Sequence, residues 1–510
     1  MKKRNLIFLA LLAVGAVAAL SCSDAQEKNT VGNTEAVQGM VSADTEAVTE
    51  EPDPFADFDF GGEEIRIYTS INEVTGVGNS NYLIEGPEEE TGDAVQDSAY
   101  ERNRSVEEIL NVKLNYTEVD VTYSNCGSEI SKLVMAGDDV YDIVINDLFP
   151  LATLSVSGKF MNVADAPYID YSKNYWYKGY MEPLSLDGGE HQYILAGDYF
   201  IDILRSAHAL YFNKNMLASL FDDGDQLYQE VLNNTWTYDK LLSYINESYQ
   251  DLNGNGKKDV DDRFGMIAFE LWGPSIPFIV SADMTYVNLE NDGTLTLAMN
   301  NERSVKLLEK LNDIFYADGT GSIYTDLNPN SPTSDPEATN IFKSGRALFL
   351  AYNRLGSFEN LRDMKDEVGI LPYPKMDETQ KEYITSSHDT TEIGVIPVTV
   401  SKFDTICAVL EVLCRETQKI VLPAYYETGL KVKYSRDDYS SQMIDIIHDH
   451  IGGSFPLAYG DYCSNFFLNG AYYTPMNNKS RDFSSNYAKH EKTIQKKLNK
   501  MVESFREIDQ

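Results

Sequence analysis

Twelve residues, DLNGNGKKDVDD at 251–262, have the types and spacing of a cation loop. A calcium loop of this length places oxygen donors at positions 1, 3, 5, 7, 9 and 12, with a glycine at 6 where the chain turns sharply. Asp251, Asn253, Asn255, the Lys257 carbonyl, Asp259 and Asp262 fill those positions, and Gly256 takes the turn. The last position departs from the pattern, because Asp stands where the longer Glu reaches both oxygens to the ion. The spacing predicts a helix over 237–249 before the loop and a strand in RFGMIAF after it, half of an EF-hand. A bound calcium would staple this loop rather than do chemistry; a plain polar Asn-Gly turn is the alternative.

Cys22 is a second residue with a chemical prospect. Lys2-Lys3-Arg4, an apolar run from Leu6 to Leu20 and Ser21-Cys22 together read as an export signal over 1–21. The run is shorter than the ~20 apolar residues that span a bilayer. A cysteine at its end resembles a bacterial lipobox, with Cys22 lipidated, although Ala19 stands where leucine is usual. Cleavage near Ala25, discarding Cys22, is the alternative. Both readings place the mature chain outside the cytoplasm, and the lipid reading anchors it to the outer face of the cell membrane. Residues 23–60 carry ten acidic side chains against Lys28 alone, so the 22–60 segment is expected to be a disordered acidic tether. Such a chain spans about 35 Å before self-repulsion lengthens it.

Catalytic constellations stay incomplete. There is no G-x-S-x-G elbow. His490-Glu491 opens an H-E-x-x-H pattern that Ile494 fails to close, and Asn81 breaks the dinucleotide fingerprint begun by Gly76 and Gly78. Thr153 occupies the first glycine of a would-be phosphate loop ending at Gly158-Lys159. His448 and His450 are two apart on an expected helix, so they face different ways and make a poor zinc pair. A net charge of −38 argues against nucleic acid, since nothing would replace phosphate counterions. Cys407 and Cys414, seven apart on one helix, lie ~10 Å apart and cannot bond; pairing of Cys126 with Cys463 stays open.

The elements that must position these residues alternate. Ile65–Thr69 reads as a strand, 97–111 as a helix with Val106, Ile109 and Leu110 on one face, and Val112–Glu118 as a strand. Ile130, Leu133 and Val134 mark a helix, and Asp139–Ile145 a buried strand. Val305, Leu308, Leu311 and Phe315 form a helix face, as do Ile406, Val409, Leu410 and Leu413; 489–506 reads as a polar, solvent-facing helix. Strand–helix alternation predicts an α/β protein with a parallel sheet covered by helices. About 450 residues need more than one core, and no short repeat is visible.

Several segments, taken in order, carry a resemblance. They are YDIVINDLFPLATLSVSGKFMNVAD (141–165), ILAGDYFIDILRSAHALYFNKNML (194–217) with its Phe212-Asn213-Lys214, TWTYDKLLSYI (235–245), IFKSGRALFLAYN (341–353) and GILPYPK (369–375). Together they resemble the extracellular solute-binding proteins of ABC importers, the group that includes maltose-binding protein. The resemblance implies a two-lobed periplasmic-binding-protein-like fold (type II) with a ligand cleft between the lobes. It implies lobe 1 at 61–205 plus 391–425, and lobe 2 at 206–390 plus 426–510. It also implies capture of a small solute, an oligosaccharide above others, for an ABC permease by a monomer without covalent chemistry. A secreted, membrane-anchored glycan hydrolase is the alternative.

Ligands of open α/β sheets sit at the carboxyl ends of strands. That rule selects Asp147 and Phe149, Asp198 and Tyr199, Glu270 and Trp272, and Tyr352 and Asn353, with Ser387 and His388 secondary. Sugars need aromatic faces and hydroxyl partners. Trp272, Tyr199 and Tyr352 are therefore the expected platforms, and Asp147, Asp198 and Asn353 the expected polar partners. A structural role competes at each. Trp236, at a helix start, is expected to be a packing residue.

Overall fold

A computed structural model describes residues 53–70, 81–121, 123–268, 272–316, 321–324, 335–361, 363–388, 390–426 and 438–508. The expected export signal, Cys22 and most of the expected acidic tether lie outside the described residues, as do Gly76, Gly78 and Glu270. Residues 54–510 form one compact unit. Phe55 is buried, its ring 5.0 Å from that of Phe58, and the Phe60 N–H donates to the Leu110 carbonyl at 3.0 Å. The body therefore begins inside the acidic segment, because three phenylalanines there find a surface to cover.

The described strands are β1 (Glu63–Ser70), β2 (Val112–Val119), β3 (Ile143–Asp147), β4 (His208–Asn213), β5 (Phe264–Ala268), β6 (Val287–Leu289), β7 (Leu295–Leu297), β8 (Ser322–Tyr324), β9 (Ala347–Arg354), β10 (Val368–Leu371) and β11 (Glu392–Val395). One sheet runs β11-β3-β1-β2, a second β10-β4-β9-β5-β8, and β6-β7 form a hairpin. β1 is parallel to β2 and β3, and β5 to β8 and β9, as alternation with helices requires. The sheets are nevertheless mixed rather than parallel. β11 runs antiparallel to β3, and β4 antiparallel to β9 and β10. β4 and β11 are the strands reached by crossing from one sheet to the other, so no covering helix dictates their direction.

Local chemistry explains the elements. The Ala94–Leu110 helix starts where Asp93 accepts from the Val95 and Gln96 N–H groups at 3.0 and 3.1 Å, and stops where Asn111 turns left-handed at φ 49°. Val95, Ala99, Arg102, Val106 and Leu110 make its buried face. β3 is buried along its whole length, whereas β2, at the sheet edge, alternates. Trp236 is fully buried, packs against Phe349 and donates to the Pro372 carbonyl at 3.1 Å. Trp176 is also buried and donates to Glu411 at 2.7 Å.

The C-terminal helix, Phe483–Arg506, is not the solvent-facing rod its lysines suggest. Phe483, Tyr487, Ile494, Leu498, Met501, Val502 and Phe505 form a buried stripe. Gln495 ties the helix to the hairpin, accepting from the Leu297 N–H and donating to the Leu295 carbonyl. Charged residues occupy only the outer face of what is an amphipathic helix. Cys126, Cys407, Cys414 and Cys463 are buried free thiols.

Candidate functional site

Two passages of the chain between the sheets lie next to each other. After Asp198 the chain runs through the short Asp202–Arg205 helix into β4, and it returns by way of 385–388 and 390–391 into β11. The two passages are bonded together. The His208 N–H donates to the Ser386 carbonyl at 2.8 Å, and the Glu392 N–H to Asp202 Oδ2 at 3.1 Å. β1 and β3 bring their carboxyl ends, Ser70 and Asp147, to this region from one sheet. From the other, the end of β9 at Arg354 pairs with His208 at the start of β4. The carboxyl ends of strands beside a crossing are where small ligands of open α/β sheets sit.

The selected residues divide between its two sides. Asp147 is buried, pairs in register with Glu392, and stands at the start of the Leu148–Ser155 helix. Asp198 is buried too, with Oδ2 accepting from Gln418 at 3.1 Å and Oδ1 lying 3.3 Å from His448 Nε2. Burial raises its carboxyl above the usual range, partly offset by His448. Tyr199 is enclosed: its hydroxyl lies 3.1 Å from that of Tyr116, and Arg102 sits over its ring at 5.0 Å. Asn353 is half-buried in β9, opposite Ala209 of β4. Trp272 opens the Trp272–Ser281 helix and Tyr352 belongs to β9, but their side chains lie outside the described residues. Ser387 is buried against the Tyr180 hydroxyl, and Thr390 holds half-buried His388 by its Nδ1.

The structure adds residues that the strand-end rule passed over. His448 and His450 diverge as their spacing required: His448 turns to Asp198, and His450 to the Ile446 carbonyl. Burial would lower the His448 pKa, but the hydrogen bond and charge of Asp198, with Asp449, raise it above the ordinary imidazole value. Arg205, 4% exposed, lies 3.8 Å from Asp202 and beneath the ring of Tyr82 at 5.4 Å. The Asp-x-x-Arg spacing inside an otherwise apolar run was the available signal. His208 is buried beside Arg354, and that burial first, then the neighbouring charge, holds its pKa well below the ordinary value.

The 251–262 loop lies apart from the crossing and is closed on itself. Asp251 accepts from the Gly254 and Gly256 N–H groups at 2.7 and 2.8 Å. Gly254 and Gly256 adopt φ of 71° and 70°, which favours glycine. Asn253 and Asn255 both turn to Asp259, and buried Asp262 accepts from Tyr249 and from the Leu252 and Asp259 N–H groups. The donor set fits a hard cation by its chemistry, all oxygen. Among the described residues, however, no three His, Cys, Asp or Glu side chains are gathered as a metal group.

A pocket of about 520 Å³ opens elsewhere, lined by Leu186, Met284, Tyr286, Ile384, Ile451 and Phe455. It contains none of the residues selected at strand ends. No described helix is long and apolar enough to cross a membrane.

No protein-family model and no curated protein matches the sequence. Solved structures do match. A cyclo/maltodextrin-binding protein complexed with maltotetraose is 15% identical over 90% of this chain and 99% of its own, with a TM-score of 0.50. An ABC transporter solute-binding protein from Thermotoga lettingae, bound with α-D-tagatose, is 13% identical over 86% and 100%, with a TM-score of 0.49. A maltose/maltodextrin-binding domain from Bdellovibrio bacteriovorus bound to maltotriose is 15% identical over 88% and 100%, with a TM-score of 0.47. The first establishes that this chain shares the two-sheet, periplasmic-binding-protein-like fold over most of its length.

Proposed function

We propose that the chain is an extracytoplasmic solute-binding protein that holds an oligosaccharide between its two sheets and hands it to an ABC permease. The observation that carries this reading is the paired crossing, where carboxyl ends from both sheets meet buried polar side chains. The shared fold supports it, since the neighbour with that fold is named for binding a maltodextrin. The lobes divide at the crossings, near 205 and 391, with the 426–510 segment assigned to the second. Ligand would stabilise a closed arrangement only by binding it more tightly than the open one. Polar residues at the crossing match hydroxyls, and no chemical step is assigned to them.

Two accessory features belong to the proposal. Cys22 carries a lipid that anchors the protein to the outer face of the membrane. Calcium occupies the 251–262 loop through Asp251, Asn253, Asn255, the Lys257 carbonyl, Asp259 and Asp262, tying the Tyr238–Ser248 helix to β5. Turning the Asn253 and Asn255 amides would present their oxygens to the ion.

A thermal-shift screen against a glycan library tests the main reading, because ligand at 100 times its Kd adds about 2.7 kcal/mol. Stabilisation by at least one oligosaccharide is expected. Stabilisation by peptides or amino acids alone would overturn the sugar assignment.

A further inference from the structure

Tyr82 is a large apolar side chain left 40% exposed, and its position sets it apart from the others. Of the other exposed apolar side chains, Met135 and Leu232 lie near helix ends, Leu289 on the hairpin, Leu252 in the 251–262 loop, and Val140, Tyr168 and Val398 in connections, with Tyr168 packed edge-on against Phe58. Tyr82 instead stands 5.4 Å from the guanidinium of Arg205, in the first passage between the sheets. Arg205 is itself 4% exposed and donates a hydrogen bond to the Tyr425 hydroxyl. One face of the Tyr82 ring is thus fixed against a buried cation, and the rest of the ring meets solvent at the crossing.

The short helix that presents it, Asn81–Ile84, is held from every side. Asn81 donates to the Ser70 carbonyl at 3.0 Å and to Glu118 at 2.7 Å, which ties the helix to the carboxyl ends of β1 and β2. Leu83 and Ile84 are fully buried. Arg102, itself buried, caps their carbonyls at 2.8 and 2.6 Å, and Asn103 caps the Glu85 carbonyl. A ring carried on four residues this firmly anchored is held in place before any ligand arrives. A rigid ring with two side-chain torsions loses little entropy on contact.

From this geometry we infer that Tyr82 is the aromatic platform of the first sheet's wall, stacking on the C–H face of a pyranose ring while Arg205 fixes its orientation. The inference rests on the oligosaccharide reading and names a residue that the strand-end rule did not select.

The test uses the full chain and four probes: maltotetraose, cellotetraose, xylotetraose and mannotetraose, measured by titration calorimetry. For any probe bound by the wild type, Tyr82→Ala and Tyr82→Leu should weaken binding at least tenfold with an unchanged unfolding temperature. Tyr82→Trp should bind within threefold of wild type, and its emission should shift on addition of the probe. Binding within twofold of wild type in Tyr82→Leu, or an unmoved Tyr82→Trp emission at saturation, would overturn the platform alone. A wild type that binds none of the four and is stabilised by no glycan of the thermal-shift screen would overturn the inference together with the reading beneath it; a screen hit outside the four replaces them as the probe.

Discussion

Replacing His448 with Gln removes one half of a buried pair that joins two parts of the molecule 250 residues apart in sequence. His448 ends the Asp438–Asp449 helix, which rests on the second sheet's side through Tyr439 stacked on Tyr228 at 5.4 Å. Asp198 belongs to the first sheet's side, its N–H donating to the Tyr175 carbonyl. The His448 and Asp198 side chains are 13% and 0% exposed, so screening by solvent is weak. Removing one partner of a buried pair costs about 3–5 kcal/mol. Asp198 keeps Gln418 at 3.1 Å, which argues for the low end, roughly 3 kcal/mol. At about 2.1 cal/mol/K of unfolding entropy per residue, a body of some 450 residues would lose roughly 3 °C in Tm.

The pH dependence has a definite sign. The groups facing His448 are Asp198, Asp449, Tyr177 and Tyr426, and the carboxylates among them raise its folded pKa above the ordinary value. The stabilisation is therefore complete below the unfolded value of about 6.5 and is lost as pH rises through the raised folded value. His208 acts in the opposite sense, since it is held neutral and loses stability below about pH 6.5. The difference between wild type and His448→Gln cancels that contribution. Thermal unfolding of both at pH 5.5 to 8.5 should show the gap widest at the acid end and shrinking through neutrality. A gap independent of pH, or one that grows with pH, would refute the charged pair.

Other expectations follow from single residues. Calcium should raise the unfolding temperature as RT ln(1 + [L]/Kd). Asp251→Ala should abolish that response while keeping ligand affinity; indifference of the wild type to chelator would mean a plain turn. Cys22→Ala should move the protein from the membrane fraction to the medium, since two acyl chains suffice for stable anchoring; equal retention of both forms would rule the anchor out. Gly265→Ala should destabilise by about 1–3 kcal/mol in chemical denaturation, because a Cβ there meets the Ile245 backbone of the Tyr238–Ser248 helix. An unchanged denaturation midpoint would contradict that close approach.

Much of the fold was legible because it is written in short-range periodicity. β1, the Ala94–Leu110 helix and the Phe403–Glu416 helix each bury residues at the spacing that announced them, whereas the strand expected over Asp139–Ile145 begins only at Ile143. Trp236 behaves as the packing residue its place at a helix start suggested. Strand direction was not legible, since β4 and β11 take theirs from where a crossing lands. The stripe of the C-terminal helix was hidden because lysines at 489, 492, 496, 497 and 500 are interleaved with its buried residues. The strand-end rule placed Asp147 correctly at the end of β3, whereas Asp198 follows isolated bridges rather than a strand, and the surroundings of both come from distant segments. Nothing near 198 announces His448, and nothing near 82 announces Arg205.

The central claim is that the protein captures an oligosaccharide and returns it unchanged. Equilibrium dialysis of the full chain against a radiolabelled oligosaccharide from the thermal-shift screen, followed by chromatography of the bound and free sugar, tests it most directly. One sugar bound per chain at saturation is expected, with the oligosaccharide recovered intact after prolonged incubation. Accumulation of shorter sugars would identify a hydrolase instead, and no retention of any glycan would contradict the binding claim itself.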